Sequence, residues 1–198
     1  EAGMSGISRF LATRTAFEPG DPIGLDLEVD ELSFYPLIYF PIDANAQMPS
    51  ETAIVRLDAY MQGGGTVLFD TRDQIGGALS ANNSPENRRL REIMRNLNIP
   101  PLEPVPSDHV LTKAFYILDS FPGAYAGSPL WVQATTIDTG DGERPVRVGD
   151  GVTPVMITGN DFAAAWALDD SGRPLRAIAE ASCKPPRREH GHPLPATP

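Results

Sequence analysis

The sequence predicts one α/β domain with a mainly parallel sheet covered on both faces. Two observations carry this reading. Segments with apolar residues at helical spacing alternate with short runs of strand-forming residues, and each helix is closed by capping or glycine residues before the next strand begins. A third observation is size: 198 residues, 41% of them hydrophobic, suffice for one real core. The domain is expected to span residues 1–178, with residues 179–198 a proline-rich, disordered tail.

The elements follow in order. In "GMSGISRFLATRT", Ile7, Phe10 and Leu11 share a helical face, and "EPGDP" ends it. "IGLDLE" reads as a short strand. "LSFYPLIYFPI" reads as a buried central strand, with Pro36 marking a bend or an edge. Pro49 to Gln62 forms a capped helix with Ile54, Leu57, Tyr60 and Met61 inward, and Gly63 to Gly65 supplies the positive φ a C-cap needs. The strand "TVLFD" follows at once. "PENRRLREIMRNLN" is a helix with Pro85 in its first turn and Leu90, Ile93, Met94 and Leu97 on one face. "IPPLEPVPSDHVLTKAFYILDSFPG" is a proline-rich connector holding a short helix or strand. "SPLWVQATTI" and "RPVRV" make a hairpin around "DTGDGE", and "TPVMITGNDFAAAWALDD" is a last strand running into a helix. The final sixteen residues, with five prolines, lack periodicity.

Charge narrows the partners. A net charge of −10 and a pI near 4.7 repel a phosphate backbone, and no Lys/Arg stripe with interleaved aromatics offsets them, so nucleic acid is not expected to bind. No stretch approaches the ~18 consecutive apolar residues of a membrane span, so this segment itself is not expected to contact a membrane. The single cysteine, Cys183, excludes an internal disulfide and a cysteine-based zinc cluster.

The chemical motifs are weak by spacing. A phosphate loop places glycines after a strand, whereas Gly63 to Gly65 precede one. "FDTRD" is superficially like a dehalogenase-type phosphotransferase, but Arg72 stands where the second carboxylate of that chemistry is needed. Asp70, Asp73, Asp108, His109 and Asp161 could form an oxygen-rich site, yet match no stereotyped ligand pattern; the simpler reading is that Asp70 and Asp73 cap the next helix or pair with Arg72 and Arg14. No metal and no cofactor are expected. The aromatic segments "LSFYPLIYFPI" and "AFYILDSFPG" could serve protein contacts, although such runs more often fill a core.

The strings "LATRTAFEPGDPIGLDLEVDELSFYPLIYFPI", "AYMQGGGTVLFDTRD", "IPPLEPVPSDHVLTKAFYILDSFPG", "PLWV" and "DGVTPVMITGNDFAAAWALDDSGRP", spread over residues 5 to 175, resemble a bacterial family of unknown function. That family forms the C-terminal portion of large membrane proteins whose N-terminal region is similar to the BatA aerotolerance proteins. The resemblance implies a class I glutamine-amidotransferase-like, flavodoxin-like three-layer sandwich, carried by a membrane-anchored parent on the periplasmic or extracytoplasmic side. Family members have a strand before the first helix, whereas this chain begins at the helix, which implies a sheet lacking its first strand. They also continue into a long C-terminal helix where this sequence has "CKPPRREHGHPLPATP".

Amidotransferase-type enzymes carry a cysteine nucleophile on the tight turn after a central strand and a histidine from a later strand end. Here the corresponding turn offers Asp70, Thr71 and Arg72, and the later strand ends in Asn160 and Asp161. The expectation is a non-catalytic domain that binds a ligand or protein partner at a degenerate cleft rimmed by Arg14, Asp70, Thr71, Arg72, Asp73, Asp108, His109, Asn160 and Asp161. The alternative is a hydrolase or metal-dependent enzyme using Asp70, Asp73, His109 and Asp161.

Overall fold

A computed structural model describes residues 2–73, 83–113, 117–118, 121–125, 127–137, 146–147, 153–169, 171–175 and 183–184. In chain order the elements are α1 (Ala2–Arg14), a 3-10 turn (Leu32–Phe34), β1 (Leu37–Pro41), α2 (Glu51–Gln62), β2 (Thr66–Asp70), α3 (Pro85–Met94), β3 (Leu102–Pro104), α4 (Val110–Lys113), β4 (Ile117–Leu118), β5 (Trp131–Gln133), β6 (Thr136–Ile137), β7 (Val146–Arg147), β8 (Val155–Thr158), α5 (Phe162–Ala165) and β9 (Cys183–Lys184). The turn sequence "DTGDGE" and all but two residues of the proline-rich tail lie outside the described residues.

The main sheet has five strands in the order β1-β2-β8-β5-β3. Its β1–β2 and β2–β8 pairings are parallel, and its β8–β5 and β5–β3 pairings antiparallel, so the sheet is mixed. Two small ladders accompany it: the expected hairpin, β6 with β7, and β4 with β9, which engages Cys183 and Lys184 at the head of the proline-rich run.

Period-two alternation divides the sheet's side chains between two cores. Val67 and Phe69 join Ile38, Ile42 and Val155 on one face, beneath Ile54, Leu57, Tyr60 and Met61 of α2 and Leu90 and Ile93 of α3. Leu68 points the other way, into a smaller cluster with Leu130, Val132, Tyr39, Phe121, Met156 and Phe162. Both long helices start as their sequences require. The hydroxyl of Ser50 accepts the Ala53 N–H at 3.2 Å and that of Ser84 the Asn87 N–H at 3.0 Å, satisfying donors the helices leave unpaired. At the end of α2, Gly63 caps with φ −77°, and the positive φ falls one residue later, on Gly64 at 95°.

Three readings of the sequence are corrected. "LSFYPLIYFPI" is not a central strand: the 3-10 turn takes its first residues, and the strand after Pro36 lies at the edge of the sheet. "IGLDLE" forms no strand, because local carboxylates capture its backbone: Asp30 accepts the Asp26 N–H and Asp26 the Glu28 N–H, in competition with a ladder. In α1 the fully buried positions are Gly3 and Gly6 rather than the apolar face, while Phe10 is 42% exposed and meets Trp166 at a ring separation of 5.0 Å.

The two glycines let α1 press backbone to backbone on α5. A β-carbon on Gly6 would lie 1.7 Å from the carbonyl oxygen of Trp166, and one on Gly3 2.0 Å from that of Ala163. Helix propensity alone favours Gly6→Ala by about 1 kcal/mol. Steric overlap opposes it, and the expected net outcome is a loss of about 1–3 kcal/mol. Urea unfolding measures this, and a raised midpoint would show that the close approach does not exist.

Candidate functional site

In parallel strands the carboxyl ends gather at one edge of the sheet, where loops and helix starts leave room for a ligand. Here β2 and β8 end side by side, paired through Asp70 and Thr158. Asp70 is the last residue of β2 and fully buried. Its Oδ1 accepts the N–H groups of Arg72 and Asp161, each at 3.2 Å, and its Oδ2 accepts the Tyr39 hydroxyl at 2.9 Å and the Phe162 N–H at 2.6 Å. One carboxylate thus ties β1, β2 and the start of α5.

The loops it holds are strained. Arg72, beyond β2, and Asp161, beyond β8, each have φ 54°, and among the described residues they are the non-glycine positions in the left-handed region. Such a conformation costs a non-glycine residue on the order of 1–3 kcal/mol, and it persists where the surroundings enforce it. The enforcing bonds are those of Asp70, which accepts the N–H of both strained residues.

Around this lock, Thr71 is buried; its N–H and hydroxyl both donate to the Thr158 carbonyl, and the hydroxyl also donates to Asp73 at 2.7 Å. Asp73 accepts a second bond from Ser84, the cap of α3, at 2.5 Å. Asn160 is fully buried, with its amide donating to the carbonyls of Phe121 and Ser128 and its Oδ1 accepting the Ser128 N–H. Asp161 is half-buried, at the start of α5, and makes no side-chain capping bond.

The ends of β2 and β8 therefore bring together Asp70, Thr71, Arg72, Asp73, Asn160 and Asp161. The remaining candidates lie elsewhere. Arg14, exposed at the end of α1, places its guanidinium 5.5 Å from the Phe10 ring and pairs with neither Asp70 nor Asp73. The Arg72 guanidinium also makes no ion pair with them; it donates to the Ile42 carbonyl at 2.8 Å, and its buried Nε has no hydrogen-bond partner. His109 is buried beyond β3, at the far edge of the sheet, where its Nδ1 accepts the Leu111 N–H; Asp108 beside it is exposed. Among the described residues, no group of three or more His, Cys, Asp and Glu is placed to hold a metal ion.

Sequence reasoning missed Tyr39 and Thr158. The signal for Tyr39 was its alternation in "LIYFP", opposite to Ile38 and Phe40, together with pairing of that strand to "TVLFD" in register Tyr39↔Leu68.

Burial pushes the Asp70 carboxyl above its ordinary range, against the opposing pull of bonds from Tyr39, Phe162 and Arg72, and the nearby Asp161 charge adds to the rise. The Tyr39 phenol is raised by burial and then by the Asp70 charge beside it.

Fold and site together define an α/β domain with a cluster of polar side chains where β2 and β8 end. The chain belongs to a family described as a domain of unknown function (DUF4159), whose model matches residues 1–190. No curated protein matches the chain.

Removing the carboxylate leaves buried donors unpaired, so Asp70→Ala is expected to cost about 1–3 kcal/mol in denaturant unfolding. Asp70→Asn keeps one acceptor oxygen and loses less. The pH dependence follows from the raised carboxyl. The folded state binds more protons than the unfolded chain above the ordinary value of about 4, so this contribution is fully present below pH ~4 and is lost as pH rises through the folded value. Wild-type stability measured relative to Asp70→Asn is therefore expected to fall as pH is raised above about 4; a rise would overturn the assignment.

Proposed function

We propose that this chain is a non-catalytic, amidotransferase-like domain of flavodoxin-like type, and that its sheet-end cleft binds a ligand or protein partner. We further propose that its parent is a membrane-anchored bacterial protein with this domain on the extracytoplasmic side. Support for the setting is the resemblance of residues 5–175 to the BatA-associated family. Among the described residues no helix is long and apolar enough to cross a membrane, so an anchor would be supplied by another part of the parent.

The observation that carries the non-catalytic reading is what stands at the two positions the resemblance marks. On the turn after β2, where a cysteine nucleophile is expected, Thr71 is buried, with its N–H and hydroxyl both bonded to the Thr158 carbonyl. At the end of β8, where a histidine is expected, Asn160 is buried and its side chain is bonded to Phe121 and Ser128. For recognition the site offers the half-buried Asp161 carboxylate, which makes no capping bond, and the Arg72 guanidinium, of which one amino group is held by the Ile42 carbonyl.

The purified domain is expected to release no ammonia from glutamine. Release that vanishes in Thr71→Ala or Asp161→Ala would overturn the proposal. Millimolar magnesium or calcium is expected to leave the melting temperature unchanged; a saturable rise abolished by Asp73→Ala would favour a metal-dependent enzyme instead. For the binding role, a photo-crosslinking residue placed at Asp161 in the membrane-anchored parent is expected to give discrete adducts that the same residue at exposed Glu92 does not. Identical adducts at both positions would count against the cleft.

A further inference from the structure

A second surface, beyond the cleft, lies along β1. Two bonds fix which of its backbone groups face β2: the Thr66 N–H donates to the Pro36 carbonyl, and the Ile42 N–H to the Asp70 carbonyl. In a parallel ladder alternate residues bond to the same neighbour, so the even-numbered residues serve β2. The N–H and C=O groups of Leu37 and Tyr39 consequently face away from the sheet. Among the described residues, no backbone bond reaches them from that side. Pro41, lacking an N–H, closes the row.

Beside this edge is a groove of about 540 Å³. Its far wall is the segment carrying Ile23, Leu25 and Leu27, and Leu37 and Tyr39 form its near wall. Ile23 is 64% and Leu37 43% exposed. An open edge beside apolar side chains is the arrangement that proteins ordinarily cover, because it templates strand pairing.

Charge identifies the occupant. Between Arg14 and Leu32 the sequence holds Glu18, Asp21, Asp26, Glu28, Asp30 and Glu31 and no lysine or arginine. All but Asp30 are exposed, and among the described residues none of the six forms a salt bridge. Asp21 lines the groove itself, and Asp26 and Glu28 flank its wall residues Leu25 and Leu27 in the same segment.

We propose that the outer edge of β1 is a strand-addition site for an extended segment of a protein partner in which aliphatic residues alternate with lysine or arginine. The partner's backbone continues the sheet through Leu37 and Tyr39, its aliphatic side chains enter the groove, and its cations meet the acidic rim.

The test uses a fluorescent six-residue peptide alternating valine with lysine and the full chain. The basic peptide is expected to bind saturably, to slow hydrogen exchange at the Leu37 and Tyr39 amides, and to weaken as salt is raised. A glutamate version is expected to bind about tenfold more weakly or less. Joint replacement of Asp21→Asn, Asp26→Asn and Glu28→Gln is expected to weaken the basic peptide several-fold while leaving the glutamate peptide no worse. A version N-methylated on its pairing amides should lose binding. Retained binding after N-methylation, unprotected Leu37 and Tyr39 amides, or no binding at all would each overturn the proposal. So would protection of the same amides by concentration-dependent dimerisation of the chain alone, since the occupant would then be a second copy. None of these results bears on the ammonia or crosslinking outcomes at the cleft.

Discussion

The architecture of the cleft depends on one buried carboxylate. Asp70 accepts bonds from Tyr39 on β1, Arg72 beyond β2, and Asp161 and Phe162 at the start of α5. An ionised carboxylate accepts at both oxygens and donates nothing, and no other short side chain meets four converging donors without bringing a donor of its own. The opposing energies are both large. Hydrogen bonds to a charged group contribute about 1.5–3 kcal/mol each, while removing the charge from water costs several kcal/mol. The upward displacement of its titration means that burial outweighs the bonds, so Asp70 is held in place by the fold as much as it holds the fold.

That arrangement sets the chemistry the cleft can support. Two adjacent strands end in loops whose left-handed residues are an arginine and an aspartate, where glycine would be free of strain. Asn160, between β8 and the strained Asp161, spends its whole side chain on Phe121 and Ser128, anchoring the loop over the cleft. Thr71, the hydroxyl nearest to the part of a nucleophile, is buried and donates to Asp73 and to the Thr158 carbonyl. His109 is engaged with its own short helix at the far sheet edge. The polar groups are numerous, and the buried carboxylate, hydroxyl and amide of Asp70, Thr71 and Asn160 are engaged with protein partners, while the buried Nε of Arg72 has none.

Much of this was legible in the residues. Periodicity and helix-end signals located α2 and α3: Gly63 to Gly65 after the first, Pro85 in the first turn of the second, and an apolar stripe of the right period in each. The adjacency of the loops after β2 and β8 follows from their parallel pairing, since strand ends in a parallel pair share an edge. What could not be read is whatever depends on sheet order. An apolar run looks the same in an edge strand as in a central one, so "LIYFP" was misplaced; His109 and Asp108 follow a strand that lies two places from β8 rather than beside it. Arg14 was drawn to the carboxylates by charge alone, whereas its nearest partner is a ring one helical turn away.

Tyr39 joins the two surfaces. Its hydroxyl donates to Asp70 inside the cleft, while its own N–H and C=O belong to the outward row of β1. A side chain fixed at its tip and a backbone open at its root form a short lever between the sheet edge and the lock. Edge strands with unpaired backbone open more readily than central ones, because fewer bonds must break. Pairing at Leu37 and Tyr39 would remove that freedom, and with it the route by which Tyr39 could leave Asp70. The strain at Arg72 and Asp161 is sustained by the same carboxylate, so Tyr39 on the edge strand shares one acceptor with both strained loops.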